Sequence, residues 1–256
     1  MTMYVVLPPS EGKRPGGAGA WQPSADELGK AQRRVARELR TFVRSATDAE
    51  RTKFFGVSGD HLVRAVASAR SGLVDTPTLH ARERYSGVVW EHLDLATLPA
   101  AAQRRAANNV LVVSGLLGLV RADEPIPDYR LKMGARLGRL GPLATWWRPR
   151  LAGVARLWFA HHTVVDLLTH EHGAALDPAA FARHTVRVRF VSITGSQAAG
   201  HNAKAAKGLL ARSLVAAPAK SDAVDVCAAF MGGGFAFADA STEGTVTTVR
   251  IAARAS

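Results

Sequence analysis

Cysteine, long apolar runs and a secretory signal are missing or nearly missing from this chain of 256 residues. The one cysteine, Cys227, cannot form a disulfide within the chain or a cysteine-based zinc or iron–sulfur site, because these need several thiolates. No run approaches the roughly 20 apolar residues of a membrane span, and the first residues lack the basic start of a signal peptide. We therefore expect a cytoplasmic protein without a membrane partner.

Acidic residues are scarce, above all in the second half of the chain. Residues 1–128 hold 17 basic and 14 acidic side chains, whereas residues 129–256 hold 16 and 7. The formal charge is +12, and segments 129–165 and 178–221 contain no acid at all. This excess predicts an anionic partner, either nucleic acid or an anionic small molecule. The alternative is a well-solvated surface in a chain rich in arginine and alanine.

Short apolar runs alternate with amphipathic segments along the chain, which is typical of an α/β fold. The pattern predicts strands at 4–7, 110–113, 164–168, 185–193 and 245–251. It predicts helices at 60–69, 98–107, 143–158 and 204–215, the third of them interrupted early by Pro149. Because no repeat or long linker divides the sequence, we expect a single domain over residues 1–256, with one mixed sheet flanked by helices.

One more helix is predicted after residues 24–27 (SADE), which form a capping box with Ser24 as the N-cap. Helical spacing buries Val35, Leu39 and Val43 and turns outward the arginines at positions 33, 34, 37, 40 and 44. We interpret this arginine face as solvated surface.

The segment 110–121 predicts a buried strand that runs into a turn marked by glycines. Tyr129 and Arg130 follow shortly after, where they can reach a cleft and where arginine can bind a planar anion with two hydrogen bonds. The loop after the first strand, 8–13 (PPSEGK), is not a P-loop, because it lacks that motif's glycine spacing and its Lys-Ser/Thr ending. Its Lys13 is still a candidate for contact with a ligand phosphate.

Polar and basic side chains lie at the start of a predicted helix, near residue 201. His201, Asn202, Lys204 and Lys207 surround its start, where free backbone amides attract anions. The segment predicts an anion site, and the alternative is an exposed basic first turn.

A metal site is a weaker hypothesis. His162, Asp166 and His170 would share one face of a helix, but the β-branched run at 163–165 favours a strand. In a strand these side chains would be spread over roughly 13 Å, which is too far for one ion. We therefore expect no metal site, and the sequence indicates no particular cofactor.

Six segments, taken together, resemble the YaaA family of bacterial peroxide stress proteins. They are 8–13 (PPSEGK), 85–90 (YSGVVW), 114–121 (SGLLGLVR), 129–133 (YRLKM), 204–212 (KAAKGLLAR) and 233–237 (GGFAF). They follow the family order from end to end, so the resemblance covers essentially the whole chain. It implies one α/β domain with a positively charged cleft, DNA binding, and a role in limiting iron-driven oxidative damage.

The resemblance also implies which residues would form the cleft: Lys13, Arg121, Tyr129, Arg130, Lys204, Lys207 and Arg212, with Ser114, Gly115 and Gly118 in its wall. Glu171 matches an acidic residue of the family.

Two functions remain open. In the first, the cleft binds double-stranded DNA, extends over Arg136, Arg139, Arg148 and Arg150, and lets Tyr129 and Trp90 stack on bases. In the second, an enzyme holds a small anionic or nucleotide substrate with Lys13, Arg130, Lys204 and Lys207. Glu171 or His201 would then move protons.

Overall fold

Eight strands form the main sheet of the computed structural model, which describes residues 3–254. The strands of the described part are β1 (Met3–Leu7), β2 (Thr78–His80), β3 (Val110–Ser114), β4 (Gly118–Arg121), β5 (Pro125–Pro127), β6 (Arg136–Leu137), β7 (Gly141–Pro142), β8 (Thr163–Asp166), β9 (His184–Val191), β10 (Met231–Gly232), β11 (Phe235–Glu243) and β12 (Val246–Ala253). The order in the main sheet is β10-β11-β12-β9-β8-β1-β3-β4, and β2–β5 and β6–β7 are separate pairs.

Helices cover this sheet in two groups. The helices are α1 (Glu27–Ser45), α2 (Asp48–Phe55), α3 (Gly59–Ser71), α4 (Ala81–Arg84), α5 (Val88–Leu93), α6 (Ala100–Asn109), α7 (Leu143–Phe159), α8 (His170–Gly173), α9 (His201–Ala216) and α10 (Ala223–Ala228). One group packs α1 against α3 and α7, and the other packs α9 against α5, α6 and α10. The predicted α/β class, a mixed sheet flanked by helices, is confirmed.

The centre of the sheet is parallel and apolar. β1 pairs in parallel with β3 on one side and with β8 on the other, so that Val5 lies between Val110 and Val165. All three valines are buried, as expected for strands covered on both faces. β4, β10 and β11 add antiparallel pairs at the two ends. Among residues 3–254, none of the helices combines the length and apolarity that crossing a bilayer requires.

The start of α1 differs from the predicted capping box. The N-cap is Asp26, whose Oδ1 accepts a hydrogen bond from the Gly29 amide at 2.7 Å, and Ser24 donates its hydroxyl to the same carboxylate at 2.6 Å. Ser24 was therefore the wrong N-cap. Asp26 lies closer to the free amides of the first turn, and its charge suits the positive end of the helix.

The prediction that Pro149 interrupts α7 was also wrong, because the helix runs through it to Phe159. Proline removes the amide that would bond to the carbonyl four residues earlier, at Thr145. Both residues are exposed, so that carbonyl faces solvent and no buried acceptor is lost.

Candidate functional site

The carboxyl ends of β1, β3 and β8 meet at the centre of the sheet. The chain leaves β1 for β3 on one side and later places β8 on the other, and such a change of direction opens a crevice beyond the strand ends. Lys13 follows β1, Ser114 is the last residue of β3, and Leu167 directly follows β8. The fold therefore gathers functional groups from distant parts of the chain at one edge.

Three hydroxyl groups form a chain beside Lys13. The Tyr129 hydroxyl lies 2.6 Å from Ser114 Oγ and 2.7 Å from the Tyr85 hydroxyl. Ser114 Oγ also accepts hydrogen bonds from the amides of Leu116 and Leu117, at 3.2 and 3.1 Å. Burial raises the pKa of Tyr129 to about 12 and that of Tyr85 well above its ordinary value, so both phenols stay protonated at neutral pH.

The Lys13 amine lies against this hydroxyl chain. Its Nζ donates to the carbonyl of Ser10 at 2.7 Å and lies 4.3 Å from the centre of the Tyr129 ring and 5.3 Å from that of Tyr85. Burial, opposed by Asp128 and assisted by the nearby Arg130 guanidinium, lowers the pKa of Lys13 to about 7. Near pH 7 a large fraction of this amine is therefore neutral.

The arginines beside Lys13 are already paired. Arg64 Nε lies 2.5 Å from Asp128, and Arg130 Nη2 lies 2.6 Å from Glu11. Together these groups line a cleft of about 400 Å³. We call it the Lys13 cleft, lined by Glu11, Gly12, Lys13, Val57, His61, Arg64, Ala65, Ser68, Ser86, Asp128, Tyr129 and Arg130. Its cations face carboxylates of the same cleft, which leaves little unpaired positive charge.

Lys207 belongs to a second cluster, at the end of β8. Its Nζ donates to the carbonyl of Leu167 at 2.7 Å, and burial lowers its pKa to about 8. Burial, with a smaller contribution from Lys207, lowers the pKa of His172 to about 4. Asp166 in the same region pairs with Arg187 at 3.2 Å.

The other residues predicted in α9 do not line the Lys13 cleft. His201, Asn202 and Lys204 are exposed in the first turn, and the His201 ring lies 6.4 Å from that of His92. The Glu171 carboxylate accepts a hydrogen bond from the backbone amide of Gly134, close to the segment that carries Tyr129 and Arg130. Of the predicted binding residues, only Lys13, Tyr129 and Arg130 are brought together there.

Arg121 and Arg212 contact residues outside the Lys13 cleft, so the expectation that they share one cleft with Lys13 is wrong. Arg121 pairs with Leu111 in the first half of β3, and its guanidinium lies 4.5 Å from the Trp158 ring. Arg212 donates to the carbonyls of Leu93 and Asp94. These contacts tie α7 to the sheet edge and α9 to the end of α5.

Base stacking by Tyr129 and Trp90 is also contradicted. The two side chains are 3% and 6% exposed, and Trp90 packs on Tyr85 with 5.0 Å between ring centres. Neither ring therefore presents a free face to a base.

Sequence reasoning missed a basic groove between α1 and α7. We call it the α1–α7 groove, and its cations are Lys30, Arg33, Arg34, Arg37, Arg139 and Arg150. Glu27 is the one acid among its lining residues, and the volume is about 860 Å³. The Arg150 guanidinium lies 3.9 Å from the centre of the Trp146 ring. The arginine face of α1, interpreted as plain surface, is thus one wall of a groove whose other wall is α7.

The sequence predicted that the DNA-binding cleft extends over Arg136, Arg139, Arg148 and Arg150, and this groove matches that prediction only in part. Arg139 and Arg150 lie in it, but Arg148 donates to the carbonyl of Ala174 and faces a different pocket. Within residues 3–254, no three His, Cys, Asp or Glu side chains are arranged to hold a metal ion.

Comparison with known proteins gives consistent matches over most of the chain. A family model described as peroxide stress protein YaaA matches residues 3–241. A UPF0246 protein of Streptomyces coelicolor is 38% identical over 220 residues, which is 84% of this chain and 83% of the relative. UPF0246 proteins of Corynebacterium glutamicum and Corynebacterium efficiens are 34% and 36% identical, over 83% and 84% of this chain and 84% and 86% of their own lengths.

Proposed function

Because the chain belongs to the YaaA family of peroxide stress proteins, we propose that it binds double-stranded DNA through the α1–α7 groove and so limits iron-driven damage. The observation that carries this proposal is the set of six lysine and arginine side chains along one groove, with a single lining carboxylate. Such a surface neutralises backbone phosphates without reading the sequence.

Charge pairing favours this groove over the Lys13 cleft as the DNA contact. In the cleft, Arg64 and Arg130 are bonded to carboxylates, and much of Lys13 is neutral near pH 7. In the groove, Lys30 pairs with Glu27 and Arg34 with Glu38. Arg37 and Arg139, which also line it, form no ion pair within residues 3–254. A guanidinium that is exposed and unpaired can form two hydrogen bonds to a phosphate without first breaking an internal contact.

The dimensions of the groove also suit a nucleic-acid backbone. The lining residues span 27–37 of α1 and 146–153 of α7, so the two walls are roughly 15 and 10 Å long. Several consecutive phosphates can therefore contact cations along one wall, because duplex DNA presents one phosphate about every 3.4 Å on each strand.

Binding of this kind offers a physical route to less iron-driven damage. A protein that neutralises phosphates releases the cations condensed around them. Ferrous iron is attracted to the same phosphates, so a bound protein displaces iron from the DNA that peroxide would otherwise damage.

The second function, an enzyme that clamps a nucleotide with Lys13, Arg130, Lys204 and Lys207, has less support. The Lys13 cleft contains the first two of these residues, whereas Lys204 is exposed in α9 and Lys207 bonds to Leu167. Glu171, the proposed proton carrier, is bonded to a backbone amide.

A salt titration tests the proposed function. Changing Arg37→Ala together with Arg139→Ala should weaken binding to a duplex and lower the slope of log K against log salt by about 2, one for each lost phosphate contact. Fluorescence anisotropy with a labelled duplex measures both quantities.

The matched control removes the same charge outside the groove, by Lys220→Ala with Arg254→Ala. Both residues are exposed and lie outside the groove. An unchanged salt slope in the groove variant, or an equal loss in the control, would show that the α1–α7 groove is not the DNA contact.

A further inference from the structure

The Lys13 amine is buried without a carboxylate to balance a charge. Nζ has one hydrogen-bond acceptor, the Ser10 carbonyl, and within residues 3–254 it forms no ion pair. The two nearest acids of the cleft are engaged elsewhere, Asp128 with Arg64 and Glu11 with Arg130. A buried ammonium without an adjacent carboxylate is costly, so these surroundings favour the uncharged amine.

The groups that face this amine come from several elements. Arg64 belongs to α3, Asp128 and Arg130 to the segment after β5, and Glu11 to the loop after β1. Asp128 and Glu11 raise the pKa of Lys13, whereas burial and the two arginines lower it, and the balance puts it at about 7.

The hydroxyl chain beside the amine is uncharged. Ser114 Oγ accepts hydrogen bonds from two backbone amides and lies 2.6 Å from the Tyr129 hydroxyl, which lies 2.7 Å from that of Tyr85. Tyr129 lines the Lys13 cleft, whereas Tyr85 is not among its lining residues. The amine therefore lies against neutral aromatic rings rather than against an acid that would hold its proton.

An amine without a carboxylate partner, a wall of uncharged tyrosines and a cleft of about 400 Å³ form a built site, and the volume lies within the range of small-molecule pockets. We propose that Lys13 is a nucleophile that forms an imine with a small aldehyde or ketone bound in the Lys13 cleft.

The reaction balances without an oxidant or reductant. The nitrogen lone pair attacks the carbonyl carbon, and the carbonyl oxygen takes a proton to give a carbinolamine. Loss of that hydroxyl with a proton from nitrogen forms the C=N bond and releases one water. This proposal is independent of DNA binding, because the cleft and the α1–α7 groove have no lining residue in common.

Reductive trapping of the intact protein tests it. The protein is incubated at pH 7 with propionaldehyde and cyanoborohydride, and peptide mapping follows the propylation of each lysine. Lys13 should react about ten times faster than the exposed Lys53, or more, because ordinary lysine amines are almost wholly protonated at this pH. Its rate should also saturate with aldehyde concentration, since the aldehyde binds before it reacts.

Either of two results would overturn the proposal: Lys13 labelled no faster than Lys53, or a rate that rises linearly with aldehyde without saturation. The first result means that the amine is not a nucleophile, and the second that the cleft does not bind the carbonyl compound. The DNA titration is unaffected in both cases.

Discussion

The Lys13 cleft and the α1–α7 groove both gather basic side chains, but their surroundings differ. In the cleft, the cations are partly buried and bonded to Glu11, Asp128 or backbone carbonyls. Six cations line the open groove, and four of them have a carboxylate or a backbone carbonyl as partner. Arg37 and Arg139 are exposed and form no ion pair within residues 3–254. The net charge of the chain does not distinguish these cases, because a paired arginine and a free one count the same.

Because of this difference, the Lys13 cleft and the α1–α7 groove suit different kinds of ligand. A buried amine without a charge partner, such as Lys13, has a lowered pKa and a fixed position, which suits a small ligand. Exposed and unpaired groups attract a polyanion over a distance and release its counterions. Substitutions in the cleft should therefore change stability and titration, whereas substitutions in the groove should change binding.

Two adjacent tryptophans of α7 give the largest expected contrast. Trp147 is fully buried and donates its indole N–H to the Gly115 carbonyl at 2.8 Å, which fixes α7 on the turn after β3. Trp147→Ala should lower the free energy of unfolding by about 3 to 5 kcal/mol, because it leaves a large cavity. Urea denaturation followed by circular dichroism measures this loss.

Trp146 provides the comparison within the same helix. It is half-buried and supports Arg150 on the groove side. Trp146→Ala should cost about 1 kcal/mol of stability and weaken duplex binding, since Arg150 loses its aromatic support. Equal stability losses in the two variants would contradict the division between core and groove.

Much of the fold could be predicted from the sequence because its central strands are buried on both faces. The segment 110–113 is wholly apolar and forms most of β3. The predicted strand 185–193 overlaps β9, where the alternate residues Val186, Val188 and Phe190 are buried. By contrast, the strand β11 was missed, because exposed polar residues at its end hide the alternation of a strand.

The site was harder to predict, since it depends on contacts between distant segments. Lys13 and Tyr129 were singled out from local patterns, and the fold does bring them together. Nothing near Arg64 in the sequence signals its contact with Asp128, 64 residues away. The α1–α7 groove was missed for the same reason, because an arginine face becomes a groove only once a second helix packs beside it.

Removal of the Ser114 hydroxyl is the next sharpest test of the cleft. Ser114→Ala leaves the amides of Leu116 and Leu117 without their acceptor in a buried turn. The expected loss is about 1 to 3 kcal/mol of stability, with duplex binding unchanged. Ser45→Ala, at the exposed end of α1, should stay within about 0.5 kcal/mol of the wild type. A Ser114→Ala variant as stable as Ser45→Ala would show that the hydroxyl chain adds nothing to the fold.

The smallest effect concerns the dependence of stability on pH. In the folded protein Lys13 loses its proton near pH 7, whereas in the unfolded chain a lysine keeps it until about pH 10.5. Between these values the unfolded state binds more protons, so stability should rise with pH by up to about 1 kcal/mol per pH unit. Lys13→Met should remove most of this rise just above pH 7, whereas Lys207, with a pKa of about 8, contributes more as the pH approaches 8. Urea unfolding at pH 6 to 9 measures the slope, and Lys53→Met, an exposed site, should leave it intact. An unchanged slope in Lys13→Met would mean that the cleft holds a fully charged ammonium, and the contrast with the groove would then lose its electrostatic basis.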